Sequence, residues 1–249
     1  MAFIELDGVS VDFPVFDSRG RSLRAALMNV GSVGRRVDMD AAGHVTVHAL
    51  KNISVQFDDG DRVGLIGRNG SGKSTLLRLL AGVYEPTAGV VRTQGSCSPL
   101  LDIGLGIDVD ATGYDNIVLR GLALGLSLKE IGAHEAEIAE FTELGDHLRL
   151  PVRTYSSGML LRLVFAVSTA VPRDIIVIDE VIGAGDAMFM RKAKARLDNL
   201  LKGSRIFIVA SHAGDMLRQM CDKGLYMRDG EVMFFGPIED ALQEYGKHG

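Results

Sequence analysis

The sequence predicts an α/β fold built around a largely parallel sheet, and two observations carry this prediction. Apolar segments with the pattern of strands alternate with helical segments along most of the 249 residues, as in folds with a parallel central sheet. In addition, the runs 174–179 (DIIVID) and 205–210 (RIFIVA) are almost continuously apolar. Such runs are typical of parallel strands that helices cover on both faces.

The first part of the chain shows the alternation of half-buried strands. Apolar and polar residues alternate over 4–13 and again over 45–57, where a DDGD turn signal ends the pattern. The segment 14–44 is rich in Gly, Ser and Arg and interrupts the alternation, so we expect a basic insertion within this β region. A short apolar strand at 62–66 then leads into a glycine-rich loop, and 75–81 has the pattern of a helix.

The rest of the chain alternates helices with strands. Residues 96–155 begin with a glycine-studded loop and continue with helical patterns, so we expect them to form a helical subdomain. The expected elements from there on are helices at 114–123, 128–144 and 160–171, a strand at 174–179, a helix at 190–201, a strand at 205–210, a hairpin over 225–235 and an amphipathic segment at 237–245.

Composition places the chain among ordinary globular proteins and excludes several classes. The hydrophobic fraction is 47% and the charged fraction 24%, which excludes disorder and collagen-like chains. The formal net charge of −5 argues against a nucleic-acid partner. Cys97 and Cys221 are too few for a disulfide framework, and we expect two buried thiols in a reducing compartment. We find no membrane-spanning run and no signal peptide in the sequence, so we expect the protein to stay in the cytoplasm.

Residues 67–74 match the phosphate-binding pattern GxxxxGK(S/T) between a buried strand and a helix, the context in which the pattern marks a nucleoside triphosphate site. Glycines let backbone N–H groups surround the phosphates, and the helix N-terminus adds positive potential. We expect Lys73 to contact the β- and γ-phosphates, Ser74 to bind Mg²⁺ and Thr75 to contact the α-phosphate. The full predicted set is Gly67, Arg68, Asn69, Gly70, Ser71, Gly72, Lys73, Ser74 and Thr75.

Two acidic residues end the apolar strand at 174–179. Ligands of parallel sheets bind at the carboxyl ends of the strands, which is where Asp179 and Glu180 lie. We expect Asp179 to hold Mg²⁺ through water and Glu180 to polarise the attacking water. A plain acidic strand end is the alternative, and the phosphate-binding pattern in the same chain argues against it.

Two further segments complete a known order of motifs. Residues 155–159 (YSSGM) precede Asp179, and His212 follows the strand at 205–210. In this order the chain resembles the ATP-binding cassette (ABC) ATPases over essentially its whole length. The resemblance implies one domain over 1–249, with a P-loop NTPase core of the RecA-like type, an antiparallel β region and a helical subdomain. It also implies ATP and Mg²⁺ as cofactors.

The family's site is shared between two protomers, which implies that the active unit is a homodimer or a pair with a sister chain. By this resemblance Ser156 and Gly158 contact the γ-phosphate held by the other protomer, Asp186 occupies the D-loop position, and His212 senses the γ-phosphate. The family's usual signature is LSGGQ, and only Ser156 and Gly158 match it here.

Two assignments stay open at this point. Phe13 is favoured over Phe16 as the aromatic residue that stacks on adenine, although either could be a core residue. Asp102 lies near the position of the family's Q-loop glutamine, which this chain lacks. It could bind Mg²⁺ through oxygen, or it could be a helix cap or turn residue.

Within the family, the segments YSSGMLLRLVFAVSTAVPRDIIVIDE, LLDIGLGIDVDATGYDNI and GAGDAMFMRKAKARL look like those of ATPases that export polysaccharides. The resemblance implies an ATPase subunit that drives a lipid-linked polysaccharide of O-antigen or galactan type across the inner membrane. The implied partners are two copies of a membrane-spanning permease, which would hold the subunit on the cytoplasmic side of that membrane. Alternatives are teichoic acid or capsule export and a soluble, non-transport ABC ATPase. A small-molecule P-loop kinase would not need the YSSGM segment. No C-terminal carbohydrate-binding domain is expected.

The insertion is basic although the whole chain is acidic. Residues 18–37 contain no acidic residue and five arginines, namely Arg19, Arg21, Arg24, Arg35 and Arg36. Two interpretations are open: a solvated surface loop, or a segment on the membrane side that meets anionic headgroups or a pyrophosphate.

Overall fold

The computed structural model describes residues 1–15, 37–39, 45–100, 104–179 and 187–248. The chain folds into two compact units, Met1–Gln94 together with Ile208–Gly249, and Gly95–Phe207. Most of the predicted insertion, residues 16–36 and 40–44, lies outside the described residues.

The strands, in chain order, are β1 (Phe3–Val15), β2 (Val37–Met39), β3 (Val45–Asp58), β4 (Arg62–Ile66), β5 (Ala88–Gln94), β6 (Cys97–Leu100), β7 (Ile175–Asp179), β8 (Ile206–Ala210), β9 (Lys223–Arg228) and β10 (Glu231–Pro237). The helices are α1 (Lys73–Leu80), α2 (Gly113–Ala123), α3 (Leu128–Thr142), α4 (Ser157–Ser168), α5 (Ala187–Gly203), α6 (Gly214–Met220) and α7 (Ile238–His248). Two 3₁₀ turns, Gly145–Arg149 and Val152–Thr154, lie between α3 and α4.

The first unit contains an antiparallel sheet with the strand order β2-β3-β1-β5. Strand β1 pairs with β3 from Phe3↔Asp58 to Val15↔Val45, and the predicted alternation buries one face of β1 through Ile4, Leu6, Val9 and Val11. The antiparallel β region expected from the sequence is therefore present.

The same unit holds a parallel strand pair. Strand β4 pairs in parallel with β9, and β9 turns back antiparallel into β10 as the predicted hairpin. Helix α7 packs closely on β9, since a Cβ atom at Gly224 would lie 2.5 Å from that of Ala241. Strand β4 leads directly to α1, and the loop between them is the predicted phosphate-binding segment.

The second unit combines helices with a short parallel pair. Strands β6 and β7 are parallel, and the helices α2, α3, α4 and α5 surround an apolar core that includes Ile117, Ile138, Leu163, Phe165 and Phe189. Two helices begin with a capping box, formed by Thr112 with Asp115 and by Ser127 with Glu130. The predicted α/β architecture with parallel strand pairs is observed.

Cys221 is buried as expected, and Cys97 is partly buried. Loss of solvent raises the pKa of both thiols to about 12. Both thiols are therefore protonated at neutral pH, and neither is suited to act as a nucleophile.

A histidine bridges three strands of the antiparallel sheet. His48 on β3 places Nδ1 2.7 Å from Asp12 Oδ1 on β1 and Nε2 3.0 Å from Asp38 Oδ2 on β2. The hydrogen bonds to Asp12 and then Asp38 raise the pKa of His48 above its usual 6.5. A raised pKa in the folded state means that the protonated imidazole stabilises the fold. This contribution is complete below the unfolded pKa and is lost as the pH rises through the folded pKa.

We expect the free energy of unfolding of the wild type to fall more steeply than that of His48→Gln as the pH rises above the ordinary histidine pKa of 6.5. Denaturant unfolding at a series of pH values measures this. The control is His147→Gln, a histidine of the second unit that meets no carboxylate among the described residues. Parallel pH curves for the wild type and His48→Gln would contradict the assignment.

Candidate functional site

The loop over residues 67–74 follows β4 in the first unit and leaves no room for side chains at two glycines. Gly67 has φ 153°, and a Cβ atom there would overlap the carbonyl oxygen of Met227. Gly72 has φ 110°, and its Cβ atom would lie 3.0 Å from the carbonyl oxygen of Ala49. Both positions therefore need glycine for space as well as conformation, and the loop forms a tight cradle of backbone.

Lys73 places its ammonium group against this cradle. Its side chain is buried, and Nζ donates hydrogen bonds to the carbonyl oxygens of Gly67 at 2.6 Å and Arg68 at 3.1 Å. A cationic group is thereby held beside the loop backbone, where an anionic ligand could replace the carbonyl oxygens as its partner.

Ser71 contributes a hydroxyl group that lacks a partner. Its Oγ is buried and makes no hydrogen bond within the part of the chain that the structure describes. Leaving such a group unsatisfied costs about 1–3 kcal/mol. The backbone of Ser71 is anchored, since its N–H donates to the Arg68 carbonyl and its own carbonyl accepts from Gly230 N–H. The unsatisfied hydroxyl is a donor suited to an oxyanion.

The start of α1 adds further donors. Its N-cap is Gly72, which has no side chain to bond the first N–H groups, and these groups have no partner within a helix. Ser74 and Thr75 are half-buried in this first turn, whereas Arg68, Asn69 and Gly70 are exposed on the loop. The arrangement suits a phosphate group.

Phe13 lies on β1 in the same unit and is 37% exposed. Its ring meets that of Tyr84 edge to face, with the centroids 5.4 Å apart. The Arg78 guanidinium lies 5.9 Å from the Tyr84 ring centroid. Sequence reasoning missed Tyr84, which no pattern separates from an ordinary loop aromatic. Phe16 lies outside the described residues.

The acidic residues are described only in part. Asp179 is the last residue of β7 in the second unit and is half-buried. Glu180, Asp186 and Asp102 lie outside the described residues, so their assigned roles stay predictions.

The YSSGM segment begins α4 in the second unit. Ser156 is the N-cap, and its Oγ accepts a hydrogen bond from the Met159 N–H at 3.2 Å. Among the described residues, a Cβ atom at Gly158 would meet only Ser156 Oγ, at 3.9 Å, so their packing does not require glycine there. Tyr155 departs from the family's leucine and donates its hydroxyl proton to the His147 carbonyl at 2.8 Å.

His212 follows β8 in the first unit and is exposed. The preceding Ser211 is buried, and its Oγ accepts from the Ala213 N–H at 3.1 Å. Phe13, the glycine loop and His212 thus belong to the first unit, and Asp179, Ser156 and Gly158 to the second. Across the described ranges, no helix combines the length and the apolar character needed to cross a membrane.

Comparison with known proteins agrees with the motifs. Residues 50–183 match the family model described as ABC transporter. The chain is 43% identical to the O-antigen export system ATP-binding protein RfbE of Yersinia enterocolitica, over 93% of this chain and 97% of that protein. It is 38% identical to the teichoic acids export ATP-binding protein TagH of Bacillus anthracis, over 80% of this chain and 36% of TagH.

A solved dimeric ATP-binding cassette, in a post-hydrolysis state with ADP and Pi bound, has a similar fold. The TM-score is 0.65 at 19% identity, and the match covers 94% of this chain and 98% of the other. The fold class predicted from the sequence is therefore confirmed, and so is the family named from the motifs. The chain belongs to the ABC transporter family.

Proposed function

We propose that this chain is the ATP-binding and ATP-hydrolysing subunit of an exporter that moves a lipid-linked polysaccharide across the inner membrane. The observation that carries the nucleotide site is the cradle at residues 67–74, where glycines leave room only for backbone and a buried lysine faces the loop. The polysaccharide is supported by the similarity to RfbE, an O-antigen export protein.

The cradle fits a bound triphosphate. Lys73 would exchange its carbonyl partners for the β- and γ-phosphates, and the unsatisfied hydroxyl of Ser71 would donate to a phosphate oxygen. The N–H groups of the loop and of α1 would donate to the remaining oxygens. Thr75 would contact the α-phosphate, and Phe13 would stack on adenine beside Tyr84.

Mg²⁺ would be held by the Ser74 hydroxyl and, through water, by Asp179, and would neutralise phosphate charge. The described residues contain no cluster of three or more acidic, histidine or cysteine side chains able to hold a metal by themselves. The ion would enter with the nucleotide and keep phosphate and water ligands. Asp102 stays the proposed further ligand.

Hydrolysis would rest on Glu180 as the residue that polarises water, with His212 in contact with the γ-phosphate. Ser156, Gly158 and Asp186 would complete the site of a second protomer, so that ATP lies between two copies of the chain. ATP binding would close the dimer and hydrolysis would reopen it, and two permease subunits would convert these steps into polymer movement.

The subunit would work on the cytoplasmic side of the inner membrane, attached through the permease. Teichoic acid is the second candidate substrate, favoured by the similarity to TagH. The same proposed nucleotide site would serve the export of either polymer.

The substitution Lys73→Ala tests the proposed nucleotide site and its link to export. We expect the affinity of the isolated chain for ATP to fall about tenfold or more, because charge-assisted hydrogen bonds to phosphate are lost. In cells that lack the wild-type chain, the variant should leave the lipid-linked polymer inside, where surface labelling does not reach it. Lys129→Ala is the control, since this exposed lysine has no ion pair or side-chain hydrogen bond in the described ranges. Normal surface polymer with Lys73→Ala would refute the proposal.

A further inference from the structure

One carboxylate at the end of α3 binds a cation from each of two other helices of the second unit. Glu143 is the C-cap of α3. Its Oε2 accepts a hydrogen bond from Arg162 Nη1 on α4 at 3.3 Å, and its Oε1 accepts one from Lys192 Nζ on α5 at 2.9 Å. Glu143 is thus a bridge between α4 and α5, which do not exchange a salt bridge with each other among the described residues.

The same two cations bind the end of α3 itself. Arg162 Nη1 also donates to the carbonyl oxygen of Thr142 at 3.4 Å, and Lys192 Nζ to that of Phe141 at 3.3 Å. Cations at the C-terminus of a helix are favourable, because the last carbonyls lack partners there. Both side chains are therefore held by a carboxylate and a helix end at once.

Glu143 has a backbone conformation that favours glycine, which suggests that its carboxylate is kept for the contacts it makes. The residue has φ 58° and ψ 24°, the left-handed conformation. Glycine adopts this conformation at a helix end without steric cost, whereas a residue with a Cβ atom is destabilised. Glycine, however, could not bind Arg162 and Lys192.

An aromatic cluster from the same three helices packs against these cations. The rings of Phe141, Phe165 and Phe189, one each from α3, α4 and α5, have centroids 5.8 to 6.1 Å apart. The Arg162 guanidinium lies 5.0 Å from the Phe189 ring centroid, and Lys192 Nζ 4.7 Å from that of Phe141. A shift of one helix would disturb the charge contacts and the ring packing together.

The bridge connects two helices that each begin beside a segment of the proposed site. Helix α4 begins at the segment with Ser156 and Gly158, and α5 begins directly after residues 180–186, which include Glu180 and Asp186. We infer that Glu143 is a positioning residue that keeps the segment proposed to contact the partner's ATP in register with the segment proposed to act in hydrolysis. The expected effect on catalysis rests on the proposed function, since it assumes that both segments take part in ATP hydrolysis.

Two substitutions at this residue separate positioning from stability. Glu143→Gly removes the carboxylate but relieves the left-handed conformation, so its thermal stability should stay near that of the wild type. Glu143→Gln keeps the conformation and loses the charge. We expect both to lower kcat for ATP about tenfold, with KM within about twofold, because misplaced segments slow the reaction while the loop at 67–74 still binds.

Glu140→Gln is the matched control. Glu140 is an exposed carboxylate on α3 whose side chain has no hydrogen bond or ion pair in the described part of the chain. The kcat of the Glu140→Gln variant should therefore equal that of the wild type. A kcat that follows the melting temperature of the variants, or a normal kcat in Glu143→Gly, would overturn the inference.

A second experiment tests the contacts of Glu143 by hydrogen exchange, without measuring catalysis. Hydrogen exchange should show that Arg162→Gln speeds exchange in the first turns of α5, and Lys192→Gln in those of α4. The effect of Lys192→Gln on α4 should vanish in a Glu143→Gly background. The effect of Arg162→Gln on α5 should become smaller but persist in part, because Arg162 also contacts the Phe189 ring on α5 directly. If each substitution affects only its own helix, the bridge is refuted. A wild type that hydrolyses no ATP would instead refute the proposed function, and the exchange cycle would still decide whether Glu143 joins the helices.

Discussion

Glu180→Gln should keep ATP binding and reduce ATP turnover by about two orders of magnitude or more. The amide has nearly the shape of the carboxylate, so the fold and the nucleotide contacts should survive. It cannot take a proton from the attacking water, however, and the chemical step should stall. Single-turnover hydrolysis and ATP affinity, measured on the same preparation, separate the two effects.

The same variant should accumulate the closed dimer in the presence of ATP, because binding precedes cleavage. Light scattering should then show a dimer that persists with ATP and not with ADP. Glu231→Gln, an exposed carboxylate on β10, is the control and should behave as the wild type. Turnover of Glu180→Gln within about threefold of the wild type would exclude Glu180 as the residue that polarises water.

Gly158→Asp should abolish ATP-dependent dimer formation and hydrolysis while each isolated chain still binds ATP. The structure supports this experiment, because a Cβ atom at Gly158 would meet no described residue except Ser156, at 3.9 Å from its Oγ, and because the backbone of Gly158 is not left-handed. The variant should therefore fold. The new carboxylate would face the γ-phosphate of the other protomer, and juxtaposed like charges cost several kcal/mol.

Gly158→Ala is the control for this substitution, since it adds a side chain of small volume and no charge. Its dimer affinity should remain far above that of Gly158→Asp, as measured by sedimentation with and without ATP. A Gly158→Asp chain that forms the dimer and hydrolyses ATP normally would show that the YSSGM segment does not contact nucleotide across an interface.

The elements recognised from the sequence are those with strong local signals. The alternation in β1 and β3, the apolar runs of β7 and β8 and the hairpin of β9 and β10 were all expected, because period and turn residues are properties of short segments. Helix α4 begins at Ser157, earlier than the apolar pattern indicated, because its N-terminus is set by the Ser156 cap.

Some elements escaped sequence reasoning for physical reasons. Strand β5 was not expected, since it is almost wholly exposed and owes its form to pairing with β1. Strand β6 contains Pro99 and only four residues, and its parallel partner β7 lies far along the chain. Helix α6 is short. Such segments carry little periodicity, so their structure depends on tertiary contacts.

The sequence by itself determined the family of this protein and the order of its motifs, from the loop pattern with Lys73 to the acidic residues at the end of β7. These follow from the types of residue at fixed spacing, which a single segment contains. Only the tertiary structure placed the Met227 and Ala49 carbonyls against the glycines of the loop. It also placed Tyr84 beside Phe13 and brought cations from two other helices to Glu143. Those contacts join residues far apart along the chain, and separations of that kind leave no periodic signal in a sequence.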